Sequence, residues 1–151
     1  MSLRSRNLPR RSCLAIPGSS EKMMGKGPGT NADMVFLDLE DAVAPKEKEA
    51  SRARIVSAIR GHDWGNKVLC VRINDWSTKW TAYDILEVVG NAGERLDEIM
   101  LPKVENAAQV VAADLLLRQV EIASGLPVGH IGIEAQIETA RGLINVEEIC
   151  E

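Results

Sequence analysis

Residues 34–45 read Met-Val-Phe-Leu-Asp-Leu-Glu-Asp-Ala-Val-Ala-Pro, and the rest of the chain is organised around this stretch. Its four leading apolar residues predict a buried strand. Three acids follow where that strand should end: Asp38, Glu40 and Asp41. Burying carboxylates in one strand-to-helix turn is costly unless a cation or a hydrogen-bond network meets them. A capping cluster, in which Asp41 helps to begin the next helix, is the alternative. Taken alone, the stretch leaves a functional site and a cap equally open.

Composition indicates one ordinary globular domain. The chain has 151 residues, of which 45% are hydrophobic and 26% charged, with a net charge of −4. This balance offers no electrostatic footprint for nucleic acid, and no apolar run is long enough to span a membrane. The cysteine count is odd (Cys13, Cys70 and Cys150), and Cys13 and Cys70 lie inside apolar strand patterns, which favours reduced core thiols in a cytoplasmic protein. Residues 1–10 are basic but lack an apolar core, so we interpret them as a flexible leader and not a signal peptide.

Strand and helix patterns alternate five times along the chain. Strands are predicted at residues 12–17, 34–39, 67–73, 98–103 and 131–137. Helices are predicted to begin near residues 21, 45, 81, 106 and 139. Uninterrupted apolar strands separated by helices favour a parallel sheet covered by helices. Two architectures fit this order, an open doubly wound sheet and part of a (βα)₈ barrel.

Polar residues gather at the predicted carboxyl ends of the strands. Beyond the acids after the second strand, they are Arg72, Asn74, Lys103, Glu105, Gln136 and Glu138. In parallel βα folds these ends share one side of the sheet, where barrel enzymes build their sites. Carboxylates with an arginine suit a hard divalent cation and an anionic oxygen substrate.

Each of these residues also has a structural interpretation. Arg72 could pair with Asp38 or Glu40 as a salt bridge. Lys103 could pair in the same way with Glu138. Glu138 could also be a first-turn acid that the helix dipole favours. The sequence contains neither a glycine-rich phosphate loop of the usual spacing nor a nucleophile elbow.

Five motifs in order carry a family resemblance. They are Arg11-Ser12-x-Leu14-x-x-Pro17-Gly18, Leu37-Asp38-Leu39-Glu40-Asp41-Ala42-Val43-Ala44-Pro45, Val71-Arg72-Ile73-Asn74, Leu101-Pro102-Lys103-Val104 and Gln136-Ile137-Glu138-Thr139. In these motifs the chain resembles the citrate lyase β-subunit/HpcH–HpaI aldolase superfamily. Residues 63–67 and 93–100 are most similar to its malyl-CoA/β-methylmalyl-CoA lyase branch.

The resemblance implies an α/β TIM barrel that cleaves a carbon–carbon bond in a 3-hydroxyacyl-CoA of the malyl, methylmalyl, citramalyl or citryl type. The products would be a 2-oxo acid and an acyl-CoA. It also implies Mg²⁺, with Mn²⁺ as a substitute, and a homo-oligomer, either a trimer or a hexamer. No nucleic acid or membrane partner is expected, and the protein is expected in the cytoplasm.

The resemblance also implies roles for individual residues. Glu138 would be a metal ligand, and Arg72 would bind the substrate carboxylate and oxygen. Glu40 and Asp41 would border the metal as catalytic acids, with Asp38 and Lys103 in support. Lys26, Arg11 and Ser20 would contact the CoA thioester, Ser20 standing where such lyases often carry an arginine.

Length is the main departure from the family pattern. The family barrel has eight βα units, and this sequence contains five of them. Residues 11–151 are therefore interpreted as the N-terminal portion of one barrel domain, an oxo-acid lyase that is catalytically incomplete in this sequence alone, with the second metal carboxylate expected beyond Glu151. Two alternatives remain open: a CoA-independent, metal-dependent 2-oxo acid aldolase, and a half-barrel that acts only as an assembly fragment.

Overall fold

A computed structural model describes residues 8–151 of the chain. Its centre is one parallel sheet of five strands in the order β1-β2-β3-β4-β5. The strands are β1 Cys13–Pro17, β2 Met34–Asp38, β3 Val68–Arg72, β4 Glu98–Leu101 and β5 Gly132–Ala135. Every predicted strand is present, each slightly shorter than predicted. Each strand pairs with its neighbour in the chain, which is the order of a barrel and not of a doubly wound sheet, whose order reverses at a switch point. The fold is therefore a partial (βα)₈ barrel, as predicted.

Helices fill the connections between the strands. They are α1 Glu21–Met24, α2 Lys48–Gly61, α3 Thr81–Asp84, α4 Gly90–Ala92, α5 Ala107–Ala123, α6 Ala140–Ile144 and α7 Val146–Cys150. A five-residue π-helix, Ile85–Val89, joins α3 to α4, a local widening of the kind that often lies near functional sites. Asn106 caps α5 as predicted, because its side chain accepts the N–H of Gln109 while Gln109 reciprocates.

The larger hydrophobic core lies between the sheet and the helices. Alternate strand residues such as Leu37, Val71 and Ile99 pack in it with Ile55 of α2 and Leu117 of α5. Burying each large aliphatic side chain is worth about 1.5–3 kcal/mol. This layer accounts for the uninterrupted apolar strands and fixes the strand ends relative to one another.

A smaller cluster occupies the opposite face of the sheet, which corresponds to the barrel interior. Its members are Met34, Val68, Cys70 and Met100, with Leu8 and Phe36 packed against them. Cys70 is buried as predicted, but Cys13 is exposed because it lies on the edge strand β1, so its prediction as a core thiol was wrong. All three cysteines are free.

The predicted leader, residues 1–10, lies mostly outside the described residues. Of the described part, Leu8 packs on the smaller cluster and Arg10 donates to Glu98 at 2.9 Å. Across residues 8–151, no helix combines the length and the apolar character that crossing a membrane requires.

Candidate active site

The ends of β2 and β3 bring Asp38 and Arg72 side by side, since the two residues are register partners. Nε of Arg72 donates to Oδ1 of Asp38 at 2.8 Å, and Nη2 donates to Oδ2 at 2.7 Å. Burial raises the pKa of Asp38, but the bonds from Arg72 and two backbone N–H groups outweigh it and hold that pKa below its usual range. The Asp38 bond raises the pKa of Arg72. The salt bridge with Asp38, one of the two that the structural interpretation allowed for Arg72, is present.

Arg72 keeps donors that this pair does not use. A guanidinium has five N–H donors, and Asp38 accepts two of them: the N–H of Nε and one N–H of Nη2. Nη1 lies 3.3 Å from Oε2 of Glu40, an ion-pair distance without hydrogen-bond alignment, and this buried oxygen has no hydrogen-bond partner among the described residues. With a side chain that is 15% exposed, Arg72 is an anchored cation at the strand ends whose unused donors could bind an oxygen ligand.

Lys103, just past β4, bridges the acids of this edge. Its Nζ lies 2.5 Å from Glu40, 3.7 Å from Asp41 and 3.9 Å from Asp75. The hydrogen bond to Glu40 raises the pKa of Lys103. Among residues 8–151, Lys103 is the one non-glycine residue with a positive φ, at 53°. Such strain persists where the surroundings demand it, and it often marks functional sites.

Glu138 follows β5 at the same edge. Its Oε1 accepts the backbone N–H of Lys103 at 2.9 Å, so the predicted pairing of these two side chains was wrong. The first-turn interpretation was also wrong, because α6 has no acid in its first turn and Thr139 is its N-cap. Glu138 makes no ion pair within 4.0 Å in the part of the chain that the structure describes. Its exposed carboxylate is therefore still able to coordinate a cation.

Asp41 does not cap a helix, which corrects the capping interpretation. The 3₁₀ turn that leads into α2 has Ala44 at its N-cap, without a side-chain cap bond. The side chain of Asp41 is 71% exposed and faces Lys103. Asp38 shapes the turn instead, because its carboxylate accepts the N–H groups of Glu40 at 2.8 Å and Ala42 at 3.0 Å.

The three residues predicted to contact CoA are dispersed. Ser20 lies just past β1, where its side chain caps α1. Lys26 is exposed beyond the end of α1. Arg11 precedes β1, so it lies at the amino edge of the sheet, where it pairs with Asp33 at 2.8 Å and is 80% exposed. The structure does not bring Arg11 to the carboxylate cluster.

Sequence reasoning missed a buried polar network behind the acids. It links Lys48 of α2 to Asn74, Asp84 and Arg52, all of them buried. Lys48 falls inside a charged run, residues 46–49, which reads as the solvated start of a helix. No sequence signal marks its burial, because Lys48 and Arg52 are like charges four residues apart, a spacing that is unfavourable for two cations.

The described residues fit one carboxylate ligand of a divalent cation. Within residues 8–151 no group of three histidine, cysteine or acidic side chains is placed to hold a metal ion. Asp38 and Glu40 are already neutralised by Arg72 and Lys103. Glu138 is thus the acid of this edge that could bind a cation without first losing an ion pair.

Below about pH 4, the protein is expected to lose part of its stability as Asp38 takes up a proton. Because the folded-state pKa of Asp38 lies below the ordinary value of about 3.9, its contribution is complete above that value and is lost as pH falls through the folded one. Urea unfolding of the wild type and Asp38→Asn measures this from pH 7 to pH 3. At pH 7 the free energy of unfolding of the variant should be about 2–3 kcal/mol lower than that of the wild type. This difference should become smaller as the pH falls.

The control for this titration is Asp114→Asn, since Asp114 pairs with Arg118 on an exposed face of α5. Its effect should be small at every pH. A stability gap between wild type and Asp38→Asn that stays constant to pH 3 would contradict the assignment.

Comparison with known proteins places the chain in a family. Residues 11–151 match the model of the HpcH/HpaI aldolase/citrate lyase family, and the chain belongs to that family. It is 45% identical over 141 residues to an L-malyl-CoA/beta-methylmalyl-CoA lyase of Cereibacter sphaeroides, covering 93% of this chain and 44% of that protein. It is 38% identical over 140 residues to citrate lyase subunit beta of Leuconostoc mesenteroides, covering 93% of this chain and 45% of that protein.

A solved structure shows the same architecture. The protein CitE from Mycobacterium tuberculosis, in complex with magnesium and acetoacetate, superposes with a TM-score of 0.67 at 34% identity. The match covers 95% of this chain and 51% of that one. The chain therefore spans about half the length of the relatives it matches, or somewhat less.

Proposed function

We propose that this chain supplies the strand-end site of a divalent-metal-dependent carbon–carbon lyase. The substrate would be a 3-hydroxyacyl-CoA of the malyl type, cleaved to a 2-oxo acid and an acyl-CoA. One observation carries the proposal: an arginine anchored by Asp38 keeps free donors at the same edge as Glu138, an acid without an ion pair. Family membership and similarity to a malyl-CoA lyase support this choice of chemistry.

Arg72 would bind the oxygens of the substrate that carry or gain negative charge. Asp38 holds one edge of its guanidinium through Nε and Nη2, so the remaining N–H groups are oriented before the substrate arrives. Donors that need no reorganisation are the main source of such stabilisation. Glu40 and Asp41 would keep Lys103 at this edge as a second cation.

Glu138 would hold the cation, for which we propose Mg²⁺, with Mn²⁺ able to replace it. When bound, such an ion supplies Lewis-acid polarisation of a substrate oxygen. The magnesium in the related CitE structure supports this choice. Contacts of Lys26 and Ser20 with CoA, assembly as a trimer or hexamer and a cytoplasmic location remain predictions.

When the barrel is complete, this site is expected to release a 2-oxo acid from a CoA thioester only if Mg²⁺ is present. A panel of malyl-, methylmalyl-, citramalyl- and citryl-CoA would be assayed for 2-oxo acid with Mg²⁺, with EDTA, and with EDTA followed by excess Mg²⁺. Free malate and citramalate serve as matched substrates without CoA. Equal cleavage of the free acids would support a CoA-independent aldolase, and release unaffected by EDTA would refute metal dependence.

A further inference from the structure

Lys48 is an almost completely buried lysine whose ammonium group has all its donors engaged. The residue is 6% exposed. Its Nζ donates to the carbonyl oxygens of Leu39 at 2.8 Å and Glu40 at 2.9 Å, and to Oδ1 of Asn74 at 2.6 Å. It also lies 5.1 Å from the centre of the Trp80 ring. Burying a charge in this way is stable only with full hydrogen bonding, which these partners supply.

Two of these partners are backbone carbonyl oxygens, those of Leu39 and Glu40, in the turn that follows β2. The Glu40 carbonyl accepts from Lys48 on one side, and the Glu40 carboxylate accepts from Lys103 on the other. Lys48 thus holds the backbone of Glu40, the residue whose side chain faces Arg72. A shift of this peptide would move the Glu40 carboxylate away from both cations of the edge.

The third partner ties the turn to the next strand end. Asn74 stands two residues beyond Arg72, and its backbone and side-chain N–H groups donate to Asp84 at 2.9 and 2.6 Å. Asp84 in turn accepts Nε of Arg52 at 2.7 Å. This chain of bonds is anchored in α2 and α3, so it joins the turn after β2 to the segment after β3 through rigid helices.

We propose that Lys48 is a positioning residue of the strand-end site, holding the Glu40 turn in fixed relation to the end of β3 that carries Arg72. This inference rests on the proposed function for its catalytic consequence. It does not depend on that function for its structural part. The physical reason is that errors of about 1 Å in a catalytic arrangement can cost about 10²-fold in rate.

Lys48→Met tests the proposal, because methionine fills similar space without any donor. Lys46→Met is the matched control, since Lys46 is an exposed lysine two residues earlier. Hydrogen exchange should speed up about tenfold at the amides of Glu40 and Ala42 in Lys48→Met, with Leu69 of β3 unchanged. On the thioester that the wild type cleaves, kcat should fall about 10–100-fold while KM changes less than about threefold.

Lys48→Arg keeps the test decisive if the methionine variant does not fold. It retains the buried charge, but a planar guanidinium cannot direct three donors from one nitrogen to the same acceptors. Faster exchange at the turn amides is expected here too. Unchanged exchange at Glu40 and Ala42, or an equal acceleration at Leu69, would overturn the proposal. A complete barrel with the wild-type sequence that cleaves no thioester would refute the proposed function, and the exchange data would still decide the role of Lys48.

Discussion

Replacing Arg72 by lysine is expected to lower kcat/KM for the CoA thioester by about 10²–10³-fold, the usual cost of losing a preorganised donor. The guanidinium uses Nε and Nη2 to hold Asp38 and leaves Nη1 pointing toward Glu40 at 3.3 Å. A lysine ammonium is a single donor centre on a flexible stem. It can neutralise Asp38 or meet the substrate, but it cannot hold both in this geometry.

The fold should survive this substitution, because the charge that balances buried Asp38 is retained. A stability loss of about 1–2 kcal/mol is expected from the broken two-bond contact. Urea unfolding would check the fold, and initial rates on malyl-CoA would report the activity. Arg118→Lys is the control, as Arg118 makes one exposed bond to Asp114 on α5. A kcat/KM for Arg72→Lys within threefold of the wild type would remove Arg72 from the reacting site.

The strands could be predicted from the sequence because each is an uninterrupted apolar run between helical patterns. Residues 34–37 and 68–71 bury both faces, one against helices and one in the smaller cluster. Periodicity alone does not fix the order of strands in the sheet, so an open doubly wound sheet stayed possible. That order depends on contacts between distant segments, such as the pairing of Asp38 with Arg72 across β2 and β3.

Strand-end reasoning also predicted that the candidate site residues gather at one edge, and it allowed the pairing of Arg72 with Asp38, but it gave Lys103 the wrong partner. Asp38, Arg72, Lys103 and Glu138 do meet at one edge. The partner of Lys103 depends on its left-handed backbone, with φ of 53°, which directs the side chain to Glu40 and the N–H to Glu138. No sequence pattern marks this conformation at a lysine, since most positive-φ positions carry glycine.

Two further residues lie in places that differ from the sequence interpretation. Arg11 lies in a motif of the family resemblance, yet it precedes its strand and therefore lies at the amino edge, away from the acids. Lys48 lies in a charged run and yet is buried, because the turn after β2 supplies two carbonyls to its ammonium group. The position of Arg11 follows from its place before β1, whereas the burial of Lys48 follows from three-dimensional packing that composition and spacing do not encode.

Glu138→Gln is expected to lower the affinity for a divalent cation, and kcat/KM with it, by at least about 10²-fold. Removing a residue that hydrogen-bonds to a metal ligand already lowers metal affinity or activity about 10–100-fold. Removing the ligand itself should lower them at least as much. A neutral amide oxygen cannot supply the negative charge that Mg²⁺ favours. The fold should be unaffected, since the amide oxygen of glutamine can still accept the N–H of Lys103 that Glu138 accepts at 2.9 Å.

Metal binding can be measured apart from turnover, which separates the ligand role from any other. Mn²⁺ titration followed by electron paramagnetic resonance would give the affinity, and rates at increasing Mg²⁺ would give the activity. Glu105→Gln is the matched control, because Glu105 lies past β4 near the same edge, with its carboxylate 4.0 Å from Arg141. It should bind Mn²⁺ as the wild type does. If Glu138→Gln binds Mn²⁺ as tightly as Glu105→Gln, the cation is held by other residues. Arg72 would then be the part of the proposed site that this edge still supports, because its pairing with Asp38 does not involve Glu138.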